Sequence, residues 1–223
     1  MTNQPTRRRT IRSFVRRASR VTNAQRRALD ELWPKHGIDY TAHELDICQL
    51  FGRHAPIVLE IGFGNGELLV SLAAANPARN FIGIEVHEPG VGHCLLAIET
   101  ARLTNVRLSR HDAIDVLRQQ VPDAALSRIN LFFSDPWPKK RHHKRRIVQP
   151  DFVALLVKKI EIGGLFHVAT DWADYAEHIN AIVLKNKAFT PVEENGPARP
   201  ETKFELRGKR LGHEIWEQRY RRV

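Results

Sequence analysis

Apolar residues from position 57 onward fall into two alternating patterns. Short runs rich in β-branched and aromatic residues predict buried strands, and longer stretches with apolar residues three or four positions apart predict helices. Strands are predicted at 57–61, 81–85, 106–109, 129–134, 165–170 and 189–192, with a final strand of alternating pattern at 213–222. Helices are predicted at 66–75, 89–103, 150–159 and 172–187, after two N-terminal helices at 24–36 and 42–51.

The order of these elements, strand then helix repeated, is typical of an α/β protein. It predicts a doubly wound, mostly parallel sheet that is covered by helices on both faces. In this architecture ligands bind at the carboxyl ends of the strands, near the point where the strand order reverses. The residues that directly follow each strand are therefore the first candidates for a functional site.

The segment after the first predicted strand combines an acid with three glycines at alternate positions. Glu60 precedes Gly62, Gly64 and Gly66, and glycines here allow a tight turn and a close approach of a ligand to the backbone. A dinucleotide-binding enzyme can carry such glycines, and a tight turn with an incidental acid explains them as well. The acid favours another ligand, because an anion beside the loop repels a pyrophosphate but attracts a sulfonium or ammonium group.

Acids also follow the second and third predicted strands. Glu85 lies nineteen residues after Gly66, where a carboxylate can accept hydrogen bonds from both ribose hydroxyls of an adenosine. Asp112 is placed to accept from an adenine amino group, and the small Ala113 next to it leaves room for the ring. Either acid alone could cap the next helix. Acids at the ends of three consecutive strands instead predict a site for an adenosine with a cationic tail, S-adenosylmethionine.

The fourth predicted strand is followed by the run Asp135-Pro136-Trp137-Pro138. The prolines fix φ and restrict the residues before them, so this run is stiff and can hold a carboxylate beside a base. Trp137 either stacks on a nucleobase or fills the core, and the sequence does not choose between the two.

Positive charge is concentrated in two segments. The net charge is +10, and residues 1–27 contain nine arginines and no acid, which leaves about +1 for the rest of the chain. Residues 139–146 add six lysines and arginines within eight positions, directly after the Asp-Pro-Trp-Pro run. Such segments bind polyanions by releasing counterions from a phosphate backbone. For the N-terminal segment a solvated tail is an equal alternative, whereas for residues 139–146 we predict nucleic-acid binding.

The run at 135–146, DPWPKKRHHKRR, resembles the signature of the bacterial tRNA (guanine-N7)-methyltransferases. Three other segments match the same family: the glycine motif at 60–66, Ala169-Thr170-Asp171, and Thr202-Lys203-Phe204-Glu205 with Gly208. The likeness covers about residues 40–221. It implies a Rossmann-like class I methyltransferase fold with a seven-stranded sheet and a reversed final hairpin. It also implies transfer of a methyl group from S-adenosylmethionine to N7 of a guanine in the variable loop of tRNA.

The resemblance further implies roles for individual residues. The residues around S-adenosylmethionine would be Glu60, Gly62, Gly64, Gly66, Glu85, Asp112 and Asp135. The residues that contact the RNA substrate would be Lys139, Asp171, Thr202, Lys203, Phe204 and Glu205. The residues that grip the RNA backbone would be Arg141, His142, His143, Lys144, Arg145 and Arg146.

Asp135 is the predicted catalytic residue. Guanine N7 carries an in-plane lone pair and no proton, so its attack needs no general base, and acceleration is expected to come mainly from positioning. We expect Asp135 to orient the guanine by accepting hydrogen bonds from its N1–H and 2-amino groups. The same carboxylate would offset the positive charge that develops on the purine. Asp171 is a second candidate for this work.

Three other functions share parts of this pattern. Amino methyltransferases that act on adenine N6 resemble this chain in ending the fourth strand with an acid or amide and two prolines, but the long basic extension is foreign to them. A nicotinamide-dependent dehydrogenase can contain a glycine loop of this kind, although Glu60, Asp112 and the basic segment argue against that function. A non-catalytic RNA-binding protein can keep the fold, although the complete set of acids argues against that reading.

Composition limits the setting of the protein. Cys48 and Cys94 give neither a disulfide framework nor a zinc spacing, which suits a reducing cytoplasm, and we expect no metal. No apolar run reaches the roughly 20 residues of a membrane span, so no membrane association is expected. We expect a cytoplasmic monomer that binds tRNA, with a basic, flexible N-terminal arm at 1–24 and one methyltransferase domain at 25–223.

Overall fold

The computed structural model describes residues 13–14, 20–193 and 199–223. Most of the predicted N-terminal arm, residues 1–24, lies outside the described residues. The strands are β1 (Gly37–Ile38), β2 (Ile57–Ile61), β3 (Asn80–Ile84), β4 (Val106–Ser109), β5 (Leu126–Phe132), β6 (Ile160–Thr170), β7 (Phe189–Val192) and β8 (Trp216–Arg222). They form one sheet with the order β1-β4-β3-β2-β5-β6-β8-β7.

The helices cover both faces of this sheet. They are α1 (Asn23–Glu31), α2 (Trp33–His36), α3 (Ile47–Phe51), α4 (Glu67–Ala75), α5 (Glu88–Thr100), α6 (Ala113–Gln119), α7 (Pro150–Lys159), α8 (Ala173–Leu184) and α9 (Lys203–Arg210), with a 3₁₀ helix at Lys140–Arg145. Side chains of α1, α4 and α5 pack with Val58 and Phe81 on one face. Side chains of α6, α7 and α8 pack with Leu59 and Phe166 on the other. Among the described residues, every helix is too short or too polar to cross a lipid bilayer.

The sheet confirms the predicted architecture. Strands β1 to β6 pair in parallel, and β8 inserts antiparallel between β6 and β7 as a reversed final hairpin. The strand order reverses between β2 and β5, so a crevice for a ligand is expected beyond their carboxyl ends. The eighth strand, absent from the prediction, is β1; it has two residues, which is too short for a pattern to reveal.

Proline and glycine explain where the N-terminal helices differ from the prediction. The helix predicted at 24–36 is divided into α1 and α2, because Pro34 has no N–H to donate and its ring clashes with the carbonyl four residues back. The helix predicted at 42–51 is shortened to α3. Asp46 caps it by accepting from the Gln49 N–H over 2.8 Å, and Gly52 ends it at a φ of 67°.

Helix α9 was not predicted, although the sequence carries its start signal. Thr202 Oγ1 accepts a hydrogen bond from the Glu205 N–H over 3.1 Å, which is the N-cap half of a Thr-x-x-Glu capping box. The segment 202–205, expected as a substrate contact of unspecified conformation, is therefore the first turn of a helix.

Candidate active site

The glycine loop after β2 has the backbone that its sequence predicts. Gly62, Gly64 and Gly66 all have positive φ, at 75°, 60° and 83°, a region that other residues rarely enter. Gly66 also meets a tight packing limit, since a Cβ there would lie 2.3 Å from Cys94 Sγ on α5. The loop therefore needs glycine both for its turn and for the packing of α4 against α5.

Glu85 is fixed against this loop by three backbone N–H groups. Its Oε2 accepts from the Gly64 N–H over 3.0 Å, and its Oε1 accepts from Val86 and His87 over 2.7 and 2.9 Å. A carboxylate offers about four acceptor positions, so a further donor can still be bound. The acid after the second strand is thus oriented in advance, directly beside the glycines.

A cavity of about 250 Å³ lies at the carboxyl ends of β2, β3 and β5. Of the predicted cofactor residues, Gly62, Gly64, Glu85 and Asp135 line it. Other walls come from the small Ala113 and from four phenylalanine side chains. The full lining is Ser13, Phe14, Ile61, Gly62, Gly64, Ile84, Glu85, Val86, His87, Ala113, Leu131, Phe132, Phe133, Ser134, Asp135, Ile147 and Phe204.

Three predicted cofactor residues are placed around the cavity rather than in its lining. Gly66 begins α4. Asp112 caps α6, since its Oδ1 accepts from the Ile114 N–H over 2.9 Å, so the capping role that the sequence left open is present while Ala113 faces the cavity. Glu60 is 3% exposed, and its Oε2 forms no hydrogen bond among the described residues.

Burial makes Glu60 hard to ionise. Removal from water raises the pKa of its carboxyl from the ordinary 4.5 to about 8, and the positive charge of Arg199 partly opposes this rise. Asn130 lies opposite Glu60 in the register of β2 and β5, and its Oδ1 also forms no hydrogen bond within the described chain. In its ionised form Glu60 would need a positive charge nearby, and its Oε2 has no hydrogen-bond partner among the described residues. A cationic ligand could supply that charge and so stabilise the carboxylate.

The turn that carries Asp135 is strained. Phe133 and Trp137 have positive φ values of 52° and 46°, which are uncommon for bulky residues and occur where surrounding contacts enforce them. Two contacts hold the turn: Ser134 Oγ lies 3.2 Å from Tyr175 Oη, and Arg146 Nε donates to the Pro136 carbonyl over 2.9 Å. Asp135 itself is exposed at the edge of the cavity.

Trp137 is half-buried and does not fill the core. Its indole N–H donates to the Ser13 carbonyl over 3.1 Å. The guanidinium of Arg145 lies over its ring at 4.9 Å, and the His142 ring meets it edge-on. The aromatic surface of the Asp-Pro-Trp-Pro run is thus joined to the basic segment by a cation–π contact.

The basic segment contains two kinds of cation. Lys139, Lys140, Arg141 and Lys144 are exposed, as expected for groups that bind phosphates. Arg146 differs from that expectation, because it is 2% exposed and its guanidinium points inward. It donates to Pro136 and to Asp174 and lies over the Tyr175 ring at 5.1 Å. Its hydrogen bonds lower the pKa of the Asp174 carboxyl and anchor the segment.

His143 and the predicted substrate residues also have internal partners. His143 Nε2 lies 3.1 Å from Arg146 Nη2 and 3.9 Å from Asp174. Asp171 contacts His213 over 3.3 Å, and a Cβ at Gly208 would lie 3.0 Å from Asp171 Oδ2. Asp171 is therefore packed against α9.

Helix α9 brings the segment 202–205 to the cavity. Lys203 forms an ion pair with Glu67 at the start of α4. Phe204 lines the cavity, with its ring 6.5 Å from the Phe133 ring and near Gly64. Glu205 points inward instead, where it is buried against Arg199.

Sequence reasoning missed Arg199 and Phe133. Neither residue belongs to a sequence motif that is associated with a particular reaction or ligand. Both make contacts with residues that are far away in the chain. The described residues contain no group of three or more His, Cys, Asp or Glu side chains placed to hold a metal ion.

Comparison with solved structures identifies the same fold. The aminoglycoside resistance methyltransferase NpmB1 superposes with a TM-score of 0.57 at 12% identity, over 83% of this chain and 95% of that chain. The 16S rRNA methyltransferase KamB gives a TM-score of 0.55 at 14% identity, over 81% of this chain and 95% of that one. Identities this low carry information on the fold alone, which is that of a Rossmann-like methyltransferase.

Comparison of sequences identifies the family. A family model described as "Putative methyltransferase" matches residues 54–218. The tRNA (guanine-N(7)-)-methyltransferase of Photorhabdus laumondii is 52% identical over 96% of this chain and 92% of its own length. That of Sodalis glossinidius is 54% identical over 94% of this chain and 90% of its own length. This chain therefore belongs to the family of bacterial tRNA (guanine-N7)-methyltransferases.

Proposed function

We propose that this protein transfers a methyl group from S-adenosylmethionine to N7 of a guanine in the variable loop of tRNA. The observation that carries the proposal is the position of Asp135. Its carboxylate stands at the edge of a cavity that the glycine loop and Glu85 also line, and the exposed cations of the basic segment begin four residues after it. A base-binding acid, a cofactor site and a phosphate-binding surface thus adjoin.

The residues around the cavity fit S-adenosylmethionine. Glu85 keeps acceptor capacity for ribose hydroxyls beyond its three backbone hydrogen bonds. Ala113 leaves space for a ring, Asp112 offers a carboxylate beside it, and the buried oxygen of Glu60 suits the positive charge of the cofactor. When bound, S-adenosylmethionine supplies a sulfonium-activated methyl group that the lone pair of guanine N7 can take in an in-line displacement.

Asp135 orients the guanine in this proposal. Its carboxylate accepts hydrogen bonds from the N1–H and 2-amino edge and offsets the charge that grows on the purine. Because N7 has no proton, no base is needed before attack, and the stiffness of the strained turn becomes the main contribution of the protein. Asp171, which packs against α9, and the first turn of that helix contact the substrate in this proposal.

The basic segment binds the RNA backbone through its outward cations. Lys139, Lys140, Arg141, Lys144 and Arg145 supply the charge, whereas Arg146 and His143 hold the segment in shape. The arginine-rich residues 1–24 add a second contact with the tRNA. The protein acts in the cytoplasm as a monomer, with residues 25–223 as its single catalytic domain.

The experiment is a methyl-transfer assay with product identification. The full-length protein is incubated with methyl-labelled S-adenosylmethionine and unmodified bulk tRNA, and the RNA is digested to nucleosides. Labelled 7-methylguanosine is the expected product. Asp135→Asn should remove most of the label, and Asp151→Asn, an exposed acid in the first turn of α7, should not. Label on N6 of adenine would overturn the base assignment, and no label in spite of cofactor binding would favour a non-catalytic RNA-binding protein.

A further inference from the structure

Arg199 is a buried charged residue that none of the predicted roles uses. Its side chain is 5% exposed. Nη1 donates to Glu205 Oε2 over 2.6 Å, and Nη2 lies 3.3 Å from Glu217 Oε2. Glu205 is in the first turn of α9, and Glu217 is in β8, so one guanidinium joins the helix that borders the cavity to the sheet beneath it.

The same guanidinium lies against the aromatic wall of the cavity. Its Cζ is 5.0 Å from the centre of the Phe132 ring and 5.5 Å from that of the Phe133 ring. Both rings line the cavity, and Phe133 is the residue with a φ of 52° at the end of β5. A bulky residue keeps such a conformation only where surrounding contacts enforce it. The contact of Arg199 with the Phe133 ring is one of these contacts.

Burial of the Arg199 charge costs free energy that a purely structural role does not explain. Within the described residues its Nε and Nη2 form no hydrogen bond, and buried charged groups without their full set of partners destabilise a fold. Replacement of such a group by apolar residues is often neutral or stabilising. A role in shaping the adjacent cavity would explain why a guanidinium occupies this place.

We propose that Arg199 is a positioning residue that holds the Phe132–Phe133 wall and the first turn of α9 together at the mouth of the cofactor cavity. This inference rests on the proposed function, because it takes the cavity as the S-adenosylmethionine site. Arg199 touches neither cofactor nor base in this role. It acts through Phe133 and through Phe204, which is carried by the same turn as its partner Glu205.

The planar shape of the guanidinium is essential to this role. It stacks on two rings while its N–H groups reach two carboxylates, and a lysine ammonium cannot do both, since it is a compact charge without a flat face. Arg199→Lys therefore keeps the charge near Glu60 and removes the stacking. Arg118→Lys, at an exposed position in the last turn of α6, is the matched control.

The test separates cofactor binding from turnover. Dissociation constants for S-adenosylmethionine are measured by calorimetry on the full-length apo protein, tRNA affinity is measured separately, and steady-state kinetics follow. For Arg199→Lys we expect cofactor affinity to fall about tenfold and kcat to fall roughly 10–100-fold, since small misplacements have effects of this size. The tRNA dissociation constant should stay within about twofold, because the exposed cations are untouched. Arg118→Lys should match the unsubstituted protein in all three.

A second variant covers the case in which Arg199→Lys does not fold. Glu217→Gln removes the charge that pairs with Arg199, and also with His167 and Arg219, at constant side-chain size. We expect a smaller loss of cofactor affinity in the same direction, about threefold. A purely structural role would lower the melting temperature and the active fraction while the cofactor dissociation constant stayed unchanged. Cofactor affinity equal to that of the unsubstituted protein in every folded variant would overturn the proposal. Cofactor binding without methylation of tRNA by the unsubstituted protein would instead overturn the proposed function alone.

Discussion

Replacement of Glu60 by glutamine should make the cofactor-free protein more stable at neutral and alkaline pH. Burial raises the pKa of the Glu60 carboxyl to about 8 in the folded chain, against an ordinary value of 4.5. Between these two values the unfolded chain has lost the proton while the folded chain still holds it. Stability from this group therefore falls as pH rises from about 4.5, and the loss is complete above about 8.

The size of the effect follows from the same two values. Each unit of pKa difference corresponds to about 1.4 kcal/mol, so the full rise represents roughly 5 kcal/mol. Glu60→Gln removes the titration and keeps the size of the side chain. The variant and the unsubstituted protein should have similar stability near pH 4.5, and the variant should be more stable by several kcal/mol near pH 8.5.

Urea unfolding of the apo protein at a series of pH values measures this difference. The quantity of interest is the free energy of unfolding of the variant minus that of the unsubstituted protein, because other titrating groups cancel. Asp151→Asn, which removes an exposed acid on α7, serves as the control for the loss of one carboxyl group and should give a flat difference. A flat difference for Glu60→Gln as well would show that Glu60 is ionised in the folded apo protein, which would refute the reasoning from burial.

Four further outcomes test the site. Arg141→Ala should leave the melting temperature unchanged and reduce the slope of log affinity for tRNA against log salt by about 0.7–0.9. Arg146→Ala should lower the melting temperature by about 4–10 °C, since it removes buried charged hydrogen bonds of about 1.5–3 kcal/mol; an unchanged melting temperature would contradict its anchoring role. Asp135→Asn should lower kcat about 10²–10³-fold with a smaller change in cofactor affinity, and full turnover with cofactor binding abolished would contradict the orienting role. Glu85→Gln should weaken cofactor binding about 10–100-fold by calorimetry, whereas unchanged affinity would exclude a ribose contact.

The sequence could predict elements whose stability is local. Strands β2, β4 and β7 and helix α7 have the predicted bounds to the residue, and local breakers mark two of these elements: Pro56 and Gly62 enclose β2, and Pro150 begins α7. Helix α9 also had a local signal in Thr202 and Glu205, and its low apolar content concealed it. Strand β1 had none, because its two residues are held by pairing with β4, which lies about 70 residues away in the chain.

Which cation of the basic segment turns inward could not be predicted in the same way. Arg145 and Arg146 are adjacent and chemically identical, and only the folded chain brings Asp174 and Tyr175 to the second of them. The same limit applies to Arg199, whose partners lie on α9, β8 and β5. Contacts between residues far apart in the chain determine whether a charged side chain is buried or exposed. A local sequence pattern shows only that the charges are present.

Three carboxyl groups lie near the guanidinium of Arg199. Glu60 and Glu205 are buried, whereas Glu217 is more exposed and also pairs with Arg219, and hydrogen bonding to His167 holds the pKa of the Glu217 carboxyl low. Glu205 and Glu217 have direct cationic partners, whereas burial favours the protonated form of Glu60 in the apo protein. A cationic cofactor can replace that proton, so its binding should be accompanied by proton release below about pH 8. The burial of the Glu60 carboxyl therefore destabilises the apo protein at high pH and at the same time favours binding of a positively charged cofactor.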